Sequence, residues 1–267
     1  YCTVHHLMSP QMLKYVKLFK DNCYHFEYSI ACSQHGCVCA ISKNNQVFVG
    51  KCYSLEFENS RATARNELRL MQLCKHPNVV RLVEFFQNDE AACIVMPKFL
   101  AVDLYDYLAE NWDQLPRFVL DVSAGLQYLH GMHVVHRDLN PSNIFVSEGG
   151  AFVVGDLGSS VLCYRNNAGR YQTSTMVGAT PYKAPEMLNA AYGAEVDLWN
   201  FGLMLHELLR GELPFYYQNE AEFVGILHHF RYAAGQRENV FDDLIACLLS
   251  SDIDKRRECF LIVSKLM

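Results

Sequence analysis

The chain has 267 residues, 51 % of them apolar, and a formal net charge of −6. A chain of this length can form one large domain or two small lobes with a sizeable core. The negative charge argues against nucleic acid or an anionic membrane surface as the main partner. No apolar run approaches the ~18 residues that a membrane-spanning helix needs.

The eleven cysteines show no repeated C-x-x-C spacing, although Cys37 and Cys39 would point the same way on a strand. Zinc binding is one interpretation of so many cysteines. Reduced, mostly buried thiols are the simpler interpretation. On that basis we expect a cytoplasmic or nuclear protein.

The first third of the chain predicts short strands and one helix. The predicted strands are residues 28–30, 37–41 and 46–49, then 79–86 and 91–96, and the helix is residues 60–75. Lys43, Asn44 and Asn45 form a turn signal between the second and third strands, and Pro77 ends the helix.

The remainder predicts mainly helices. An apolar stripe over residues 118–129 ends at Gly131, and residues 195–210 predict a buried helix closed by Gly211. Glycines at 149 and 150 interrupt the stretch between them, which predicts a hairpin of residues 144–146 and 152–154. A β-rich part followed by an α-rich part predicts an α+β fold.

One segment carries a pattern that phosphoryl transfer can use. Residues 136–143 read H-R-D-L-N-P-S-N, and thirteen residues after Asn143 comes Asp156, followed by Leu and Gly. An Asp can orient an attacking hydroxyl, and an Asn and a second Asp can hold magnesium on a nucleotide triphosphate. The pattern nearly matches H-R-D-L-x-x-x-N plus D-F-G of protein kinases. The chain therefore resembles a eukaryotic-type protein kinase over almost its whole length.

The resemblance implies a single bilobal protein-kinase-like domain that uses ATP and Mg²⁺ and acts on a protein substrate. It places the β-rich N-lobe at about 24–97, the hinge at about 97–101 and the helical C-lobe at about 102–267. Residues 1–23 would then be an N-terminal extension. The resemblance implies neither a nucleic-acid nor a membrane partner, and it leaves the oligomeric state undetermined.

The resemblance also assigns roles to single residues. Asp138 would be the catalytic base or hydroxyl-positioning group, and Asn143 and Asp156 the metal ligands. Lys51 would contact the α- and β-phosphates. Glu67, sixteen residues later on the predicted helix, would pair with that lysine.

The Gly-rich phosphate loop of kinases, G-x-G-x-x-G-x-V, corresponds to a segment that keeps only its last two signature residues. Gly36 and Val38 match, whereas Ala31 and Ser33 replace the first two glycines. All four remain candidates for nucleotide binding. The freedom of glycine to adopt positive φ is lost at the two replaced positions.

Adenine and substrate contacts follow from the same resemblance. Met96 would be the gatekeeper, and the backbone from Pro97 to Phe99 would face adenine. Because Pro97 has no N–H, the donor would come from Phe99. Asp103 stands where kinases bind ribose or a substrate arginine, and Glu207 at a position used for basic substrates. A solvated face is the alternative explanation for either acid.

Two segments bear on which amino acid of the substrate accepts the phosphate. Asn140 replaces the Lys that Ser/Thr kinases have two residues after the catalytic Asp, which weakens charge stabilisation of the transferring phosphate. Residues 178–183, G-A-T-P-Y-K, resemble the Ser/Thr type, although the ungapped register puts Ala179 on the usual threonine. Thr175 has the spacing of an activating phosphosite that would pair with Arg137.

Further motifs occur in kinase order. Glu186, in the Ala-Pro-Glu motif, would pair with Arg256 as a structural salt bridge. Residues 95–99 followed by 103–108 resemble herpesvirus serine/threonine kinases.

Two functions compete. The resemblance implies an active Ser/Thr kinase, and the alternative is a pseudokinase that binds nucleotide and acts as a scaffold or allosteric regulator. Catalysis is favoured by the presence of all five expected residues, Lys51, Glu67, Asp138, Asn143 and Asp156. Weak activity or none is favoured by Ala31, Ser33 and Asn140. A small-molecule phosphotransferase fits less well, because the Ala-Pro-Glu motif and the long activation segment belong with protein substrates.

Overall fold

A computed structural model of the chain describes residues 10–165, 171–173, 178, 180–188, 191–233 and 240–266. The chain divides into two compact units. The first comprises the described residues of Tyr1–Lys75 and Val80–Phe99, and the second comprises His76–Val79 with Leu100–Met267. The predicted phosphosite Thr175 and Ala179 lie outside the described residues.

The first unit is a five-stranded sheet with two helices. Its elements are α1 (Pro10–Asp21), β1 (His25–Ser33), β2 (Gly36–Lys43), β3 (Gln46–Ser54), α2 (Glu58–Leu73), β4 (Glu84–Gln87) and β5 (Ala91–Pro97). The strand order is β1-β2-β3-β5-β4 and every pair is antiparallel. Asn44 and Asn45 both have positive φ in the two-residue turn that joins β2 to β3, as that turn type requires.

Helix α1 is part of the core of this unit, although the sequence placed it in an N-terminal extension. Tyr15 and Phe19 are fully buried against Cys39, Ile41 and Val95 of the sheet. Helix α2 contacts β3 and β5 and buries a different stripe of residues. Its buried residues are Ser60, Ala64, Glu67, Leu70 and Met71.

The second unit is mainly helical. Its elements are α3 (Leu104–Glu110), α4 (Leu115–Gly131), β6 (Val134–Val135), β7 (Ile144–Val146), β8 (Phe152–Val154), β9 (Val161–Leu162), β10 (Tyr164–Arg165), β11 (Tyr171–Gln172), α5 (Glu195–Arg210), α6 (Glu220–His229), α7 (Val240–Leu248), α8 (Ile253–Arg256) and α9 (Cys259–Val263). Short 3₁₀ turns connect them at Trp112–Gln114, Pro141–Asn143, Leu157–Ser159, Thr180–Tyr182, Pro185–Leu188 and Ser264–Leu266.

Helices α4 and α5 supply much of the core of the second unit. The predicted hairpin is β7–β8, and α4 packs on β8. Helix α5 has the predicted bounds, and Gly211 closes it at φ 78°. Positive φ at this position is the usual reason for a glycine after a helix. The β-rich first unit and the helical second unit confirm the predicted α+β fold class.

The predicted strand over residues 79–86 is wrong in its first half, because β4 begins only at Glu84. Val79 instead makes an isolated parallel bridge to Val154, and the Asn78 side chain donates to the carbonyl of Phe152. The start of this apolar run therefore pairs with β8, whereas the Val83 N–H at its end donates to the Val95 carbonyl of β5 at 2.8 Å.

The cysteines follow the sequence-based expectation with one exception. Of the ten within the described residues, eight are free, and seven of these are buried. Cys37 and Cys39 do point the same way, with their Sγ atoms 3.5 Å apart. However, Cys37 is disulfide-bonded to Cys32. The expectation of reduced thiols is therefore wrong for this pair, because the β1–β2 register places the two residues directly opposite each other.

None of the helices in the described part of the chain is both long and apolar enough to cross a membrane.

Candidate active site

Lys51 and Glu67, the predicted phosphate-binding pair, meet within the first unit. Lys51 is on β3, and its Nζ lies 3.0 Å from Oε2 of Glu67, which is on the buried face of α2. The Glu67 side chain is only 1 % exposed, and the hydroxyl of Tyr53 also donates to it. Two donors thus hold the buried carboxylate, and the carboxylate in turn fixes the lysine.

The candidate residues of the phosphate loop lie in the β1–β2 hairpin, in register with Lys51. Ala31 is opposite Val38, Val38 is opposite Lys51, and Lys51 is opposite Ile94. Because side chains directly opposite each other share a face of the sheet, this row lies on the face that carries the Lys51–Glu67 pair. The structure therefore brings Ala31 and Val38 together with the lysine.

Gly36 has a packing reason to be glycine. A Cβ atom at this position would come within 2.1 Å of the carbonyl oxygen of Cys52 on β3. The close approach of two backbones excludes any side chain. The last glycine of the motif is thus explained within the sheet.

Several contacts fix the tip of the β1–β2 hairpin. The Gln11 amide of α1 donates to the carbonyls of Ser33 and Gln34, at 2.7 Å and 3.1 Å. The Ser54 N–H donates to the His35 carbonyl at 2.9 Å, and the Ser33 hydroxyl accepts from the His35 N–H at 3.2 Å. Sequence reasoning missed Gln11, because nothing in a lone glutamine of a presumed extension indicates that contact.

The residues predicted to face adenine lie at the end of β5 and just beyond it. Met96 is buried and opposite Val49 of β3, while Pro97 and Phe99 are half-buried. Asp103 caps the N-terminus of α3, where its Oδ1 accepts from the N–H groups of Tyr105 and Asp106. Asp103 therefore stabilises the start of α3, a capping role that the sequence analysis did not predict for it.

The carboxylate of Asp138 is held by two side-chain amides in the second unit. Nδ2 of Asn140 lies 3.1 Å from its Oδ1, and Nδ2 of Asn143 lies 3.4 Å from its Oδ2. Both amides also donate to the Asp138 backbone carbonyl, at 2.9 Å and 2.7 Å. Oδ1 of Asn140 accepts from the N–H and the hydroxyl of Ser142. Asn140 therefore positions Asp138 and caps the following 3₁₀ turn.

His136 links the Asp138 loop to the segment of Asp156. The ring is fully buried; its Nδ1 accepts from the Asp138 N–H at 3.3 Å, and its Nε2 lies 2.7 Å from the Gly155 carbonyl. Since Nδ1 is an acceptor, Nε2 carries the proton and donates. His136 thus joins the two segments through both of its ring nitrogens.

Asp156, a predicted metal ligand, has a left-handed backbone with φ 49°. Its Oδ1 accepts from the Gly158 N–H, and the next residue, Leu157, is fully buried. The leucine side chain therefore anchors the segment of Asp156 in the core of the second unit. The Gly155 N–H donates to the Asn143 carbonyl at 2.8 Å, so the backbone joins both predicted metal ligands.

A buried carboxylate, Asp197 at the start of α5, organises the backbone before Asp138. It accepts from the N–H groups of His136 and Arg137, at 2.9 Å and 2.8 Å, and from the ring of His130 at 2.9 Å. Burial alone would raise the pKa of Asp197. The hydrogen bonds from the His130 ring and from the Arg137 N–H outweigh burial and hold the pKa of Asp197 below its usual value.

Glu207, a candidate for binding basic substrates, is not on a solvated face. Its Oε2 accepts from the hydroxyls of Tyr105 and Tyr182, at 2.7 Å and 2.5 Å. Burial raises the pKa of both tyrosines, so both hydroxyls stay protonated and donate. The carboxylate connects α3 and α5 to the segment before the Ala-Pro-Glu motif.

The predicted Glu186–Arg256 pair is confirmed. NH1 of Arg256 donates to Oε1 of Glu186, both side chains are buried, and the guanidinium lies 4.8 Å from the ring centroid of Trp199. Nε of Arg256 also donates to the Ser250 carbonyl at 2.8 Å. The pair is structural, because a buried charge needs this complete set of partners.

Comparison with known families agrees with this geometry. Residues 27–265 match the protein kinase domain. The match spans most of the chain, so the chain belongs to the protein kinase family.

Individual relatives share about 30 % of residues with the chain. A probable myosin light chain kinase of Dictyostelium discoideum is 30 % identical over 229 residues, which cover 81 % of this chain and 47 % of the relative. Human serine/threonine-protein kinase 32B is 29 % identical over 227 residues, covering 78 % and 53 %. A calcium/calmodulin-dependent protein kinase type 1 of Macrobrachium nipponense is 30 % identical over 207 residues, covering 73 % and 59 %. The chain spans about half the length of such relatives.

Proposed function

We propose that this protein is an ATP- and Mg²⁺-dependent kinase that phosphorylates serine or threonine in protein substrates. One observation carries the proposal: the Asp138 carboxylate is held from two sides by Asn140 and Asn143. A carboxylate fixed in this way can orient a substrate hydroxyl and accept its proton.

The remaining candidates fit the groups that ATP and magnesium would present. Magnesium in kinases is bound by one or two carboxylates and the phosphates of the nucleotide. Asp156 offers the carboxylate and Asn143 a carboxamide oxygen, since Asn143 uses its Nδ2 to donate to Asp138. Lys51, fixed by Glu67, would carry positive charge to the phosphates. Magnesium would supply charge stabilisation of the phosphates, and these residues would hold it.

Two observations support serine and threonine as acceptors. One relative is named serine/threonine-protein kinase 32B. In addition, residues 178–183 resemble the corresponding segment of Ser/Thr kinases, and the Tyr182 hydroxyl in this segment donates a hydrogen bond to Glu207. The Glu207 carboxylate, together with the overall negative charge, favours substrates with basic residues near the target.

The test is phosphate transfer from γ-labelled ATP onto three otherwise identical basic peptides that contain one serine, one threonine or one tyrosine. We expect Mg²⁺-dependent labelling of the serine and threonine peptides only, abolished by Asp138→Asn. Labelling of the tyrosine peptide alone would contradict the acceptor assignment. Nucleotide binding without any labelling would support the pseudokinase alternative.

A further inference from the structure

A row of four cysteines crosses the sheet of the first unit. Cys32, Cys37, Cys52 and Cys93 occupy directly opposite positions on β1, β2, β3 and β5. The last three, with Cys39, pack in the core under α1. Because side chains alternate along a strand, this row lies on the opposite face from the adjacent Ala31–Val38–Lys51 row.

Cys32 and Cys37 are the members of the row that are bonded to each other. They flank the four-residue tip of the hairpin, residues 33–36, with Cα atoms 4.2 Å apart. That spacing is typical of a non-hydrogen-bonded antiparallel pair, in which the side chains are closest. Cys32 is exposed, whereas Cys37 is buried.

This difference in exposure gives the two sulfurs different chemical roles. An exposed thiolate meets an oxidant first, and a neighbouring thiol then resolves the oxidised sulfur. Cys39 is a second thiol near Cys37, with the two Sγ atoms 3.5 Å apart, and it competes as a partner. The register favours Cys32, which lies across the strand pair from Cys37, over Cys39 on the same strand.

We propose that Cys32 and Cys37 form a reversible redox latch that fixes the nucleotide-binding hairpin, with a hydroperoxide as oxidant and a dithiol as reductant. The Cys32 thiolate attacks the terminal oxygen of the hydroperoxide and becomes a sulfenic acid. The O–O bond breaks, and the other oxygen takes up a proton and leaves as an alcohol, or as water when the oxidant is hydrogen peroxide. The Cys37 thiol then attacks the Cys32 sulfur, an S–S bond forms, the S–O bond breaks, and water leaves. In the reverse direction a dithiol supplies two electrons and two protons, and becomes the disulfide.

The latch acts on the nucleotide through the backbone. The proposal rests here on the proposed function, which assigns Ala31 and Val38 to nucleotide binding. These residues are next to Cys32 and Cys37 and opposite each other, so a bond between the cysteines prevents the two strands from separating at the tip. We expect the oxidised hairpin to release nucleotide about five-fold more slowly than the reduced one, which corresponds to about 1 kcal/mol.

The experiment compares peroxide-treated and dithiol-treated wild type with Cys32→Ser and, as a matched control, Cys23→Ser, since Cys23 is exposed and free. Peptide mapping after thiol alkylation identifies the bonded pair. Hydrogen exchange of the hairpin amides measures how firmly the two strands are held together. Stopped-flow dissociation of a fluorescent ATP analogue measures the rate of nucleotide release.

The expected result is a Cys32–Cys37 peptide link in oxidised wild type and in Cys23→Ser, together with slower amide exchange and slower dissociation. Cys32→Ser should behave like reduced wild type under both conditions. A Cys37–Cys39 link, no link, or equal exchange in the two redox states would overturn the proposal. If neither state binds the nucleotide, the proposed function fails, while amide exchange still decides whether the latch exists.

Discussion

The Asp138 loop and the β1–β2 hairpin differ in how far each keeps the sequence pattern of kinases. The loop retains His136, Asp138 and Asn143, and their side chains form a hydrogen-bonded network. The hairpin has lost two glycines, yet it keeps its register, held by Gln11 and the backbone of Ser54. A site that works through side chains constrains residue type, whereas a site that works through backbone tolerates other sequences if the strands stay paired.

The largest expected effect concerns the loop. Asp138→Asn keeps the shape of the side chain but removes the carboxylate, so turnover should fall by about 10² to 10⁴. The fold and the Mg²⁺–ATP-dependent rise in melting temperature should remain. The matched control is Asp106→Asn, because Asp106 is exposed on α3. Equal turnover of the Asp138→Asn variant and wild type would show that the base is misassigned.

A second change tests whether the loop depends on Asp197. Asp197→Asn should lower the free energy of unfolding at pH 7 by about 3 kcal/mol, because the buried partners of the carboxylate lose its charge. The depressed pKa of Asp197 contributes stability above its unfolded pKa of about 3.9, and this is lost as pH falls further. Denaturant unfolding at several pH values measures the difference between variant and wild type. A difference that stayed constant below about pH 4 would contradict the pKa argument.

Asn140 is where the loop itself departs from the kinase pattern. Asn140→Ala removes a donor to Asp138, and we expect turnover about ten-fold lower, equivalent to about 1.4 kcal/mol of barrier. Asn140→Lys keeps a donor and adds charge, so turnover should rise about ten-fold. Both substitutions also remove the Asn140 Oδ1 atom that accepts from Ser142, which should lower the free energy of unfolding by about 1 kcal/mol. Steady-state kinetics of the two variants at saturating ATP decide this; identical rates would show that Asn140 has no part in the reaction.

The smallest expected effect concerns the hairpin. Gln11→Ala removes two hydrogen bonds to the tip, and we expect KM for ATP to rise about three-fold with kcat unchanged. Lys17→Ala, an exposed change on the same helix, is the control. A lower kcat at unchanged KM would mean that α1 affects the chemistry and not the hairpin.

The sequence predicted the parts that depend on residue type or on periodicity. It located the Asp138 loop, the Lys51–Glu67 and Glu186–Arg256 pairs and the bounds of α5, because each follows from a motif or an apolar repeat. It did not predict that α1 packs on the sheet or that β4 begins at Glu84. These depend on long-range packing and on which backbone groups β8 satisfies, and neither leaves a local pattern.

The cysteine row was also missed, for a related reason. Cys32 and Cys37 are close in sequence, but Cys52 and Cys93 come much later in the chain, and only the strand register aligns all four. A one-residue shift of any strand would move its cysteine to the other face. The four cysteines are visible in the sequence, but the strand register that brings them into one row is a property of the folded sheet.

We expect the Asp138 loop to be competent for phosphate transfer and the altered β1–β2 hairpin to change mainly the affinity for nucleotide. The most direct measurement is steady-state transfer to a basic serine peptide over a range of ATP concentrations that reaches saturation. We predict a kcat of about 1 s⁻¹, at the lower end of the range for kinases, with a high KM for ATP. Tight ATP binding with no turnover above that of Asp138→Asn would contradict the account.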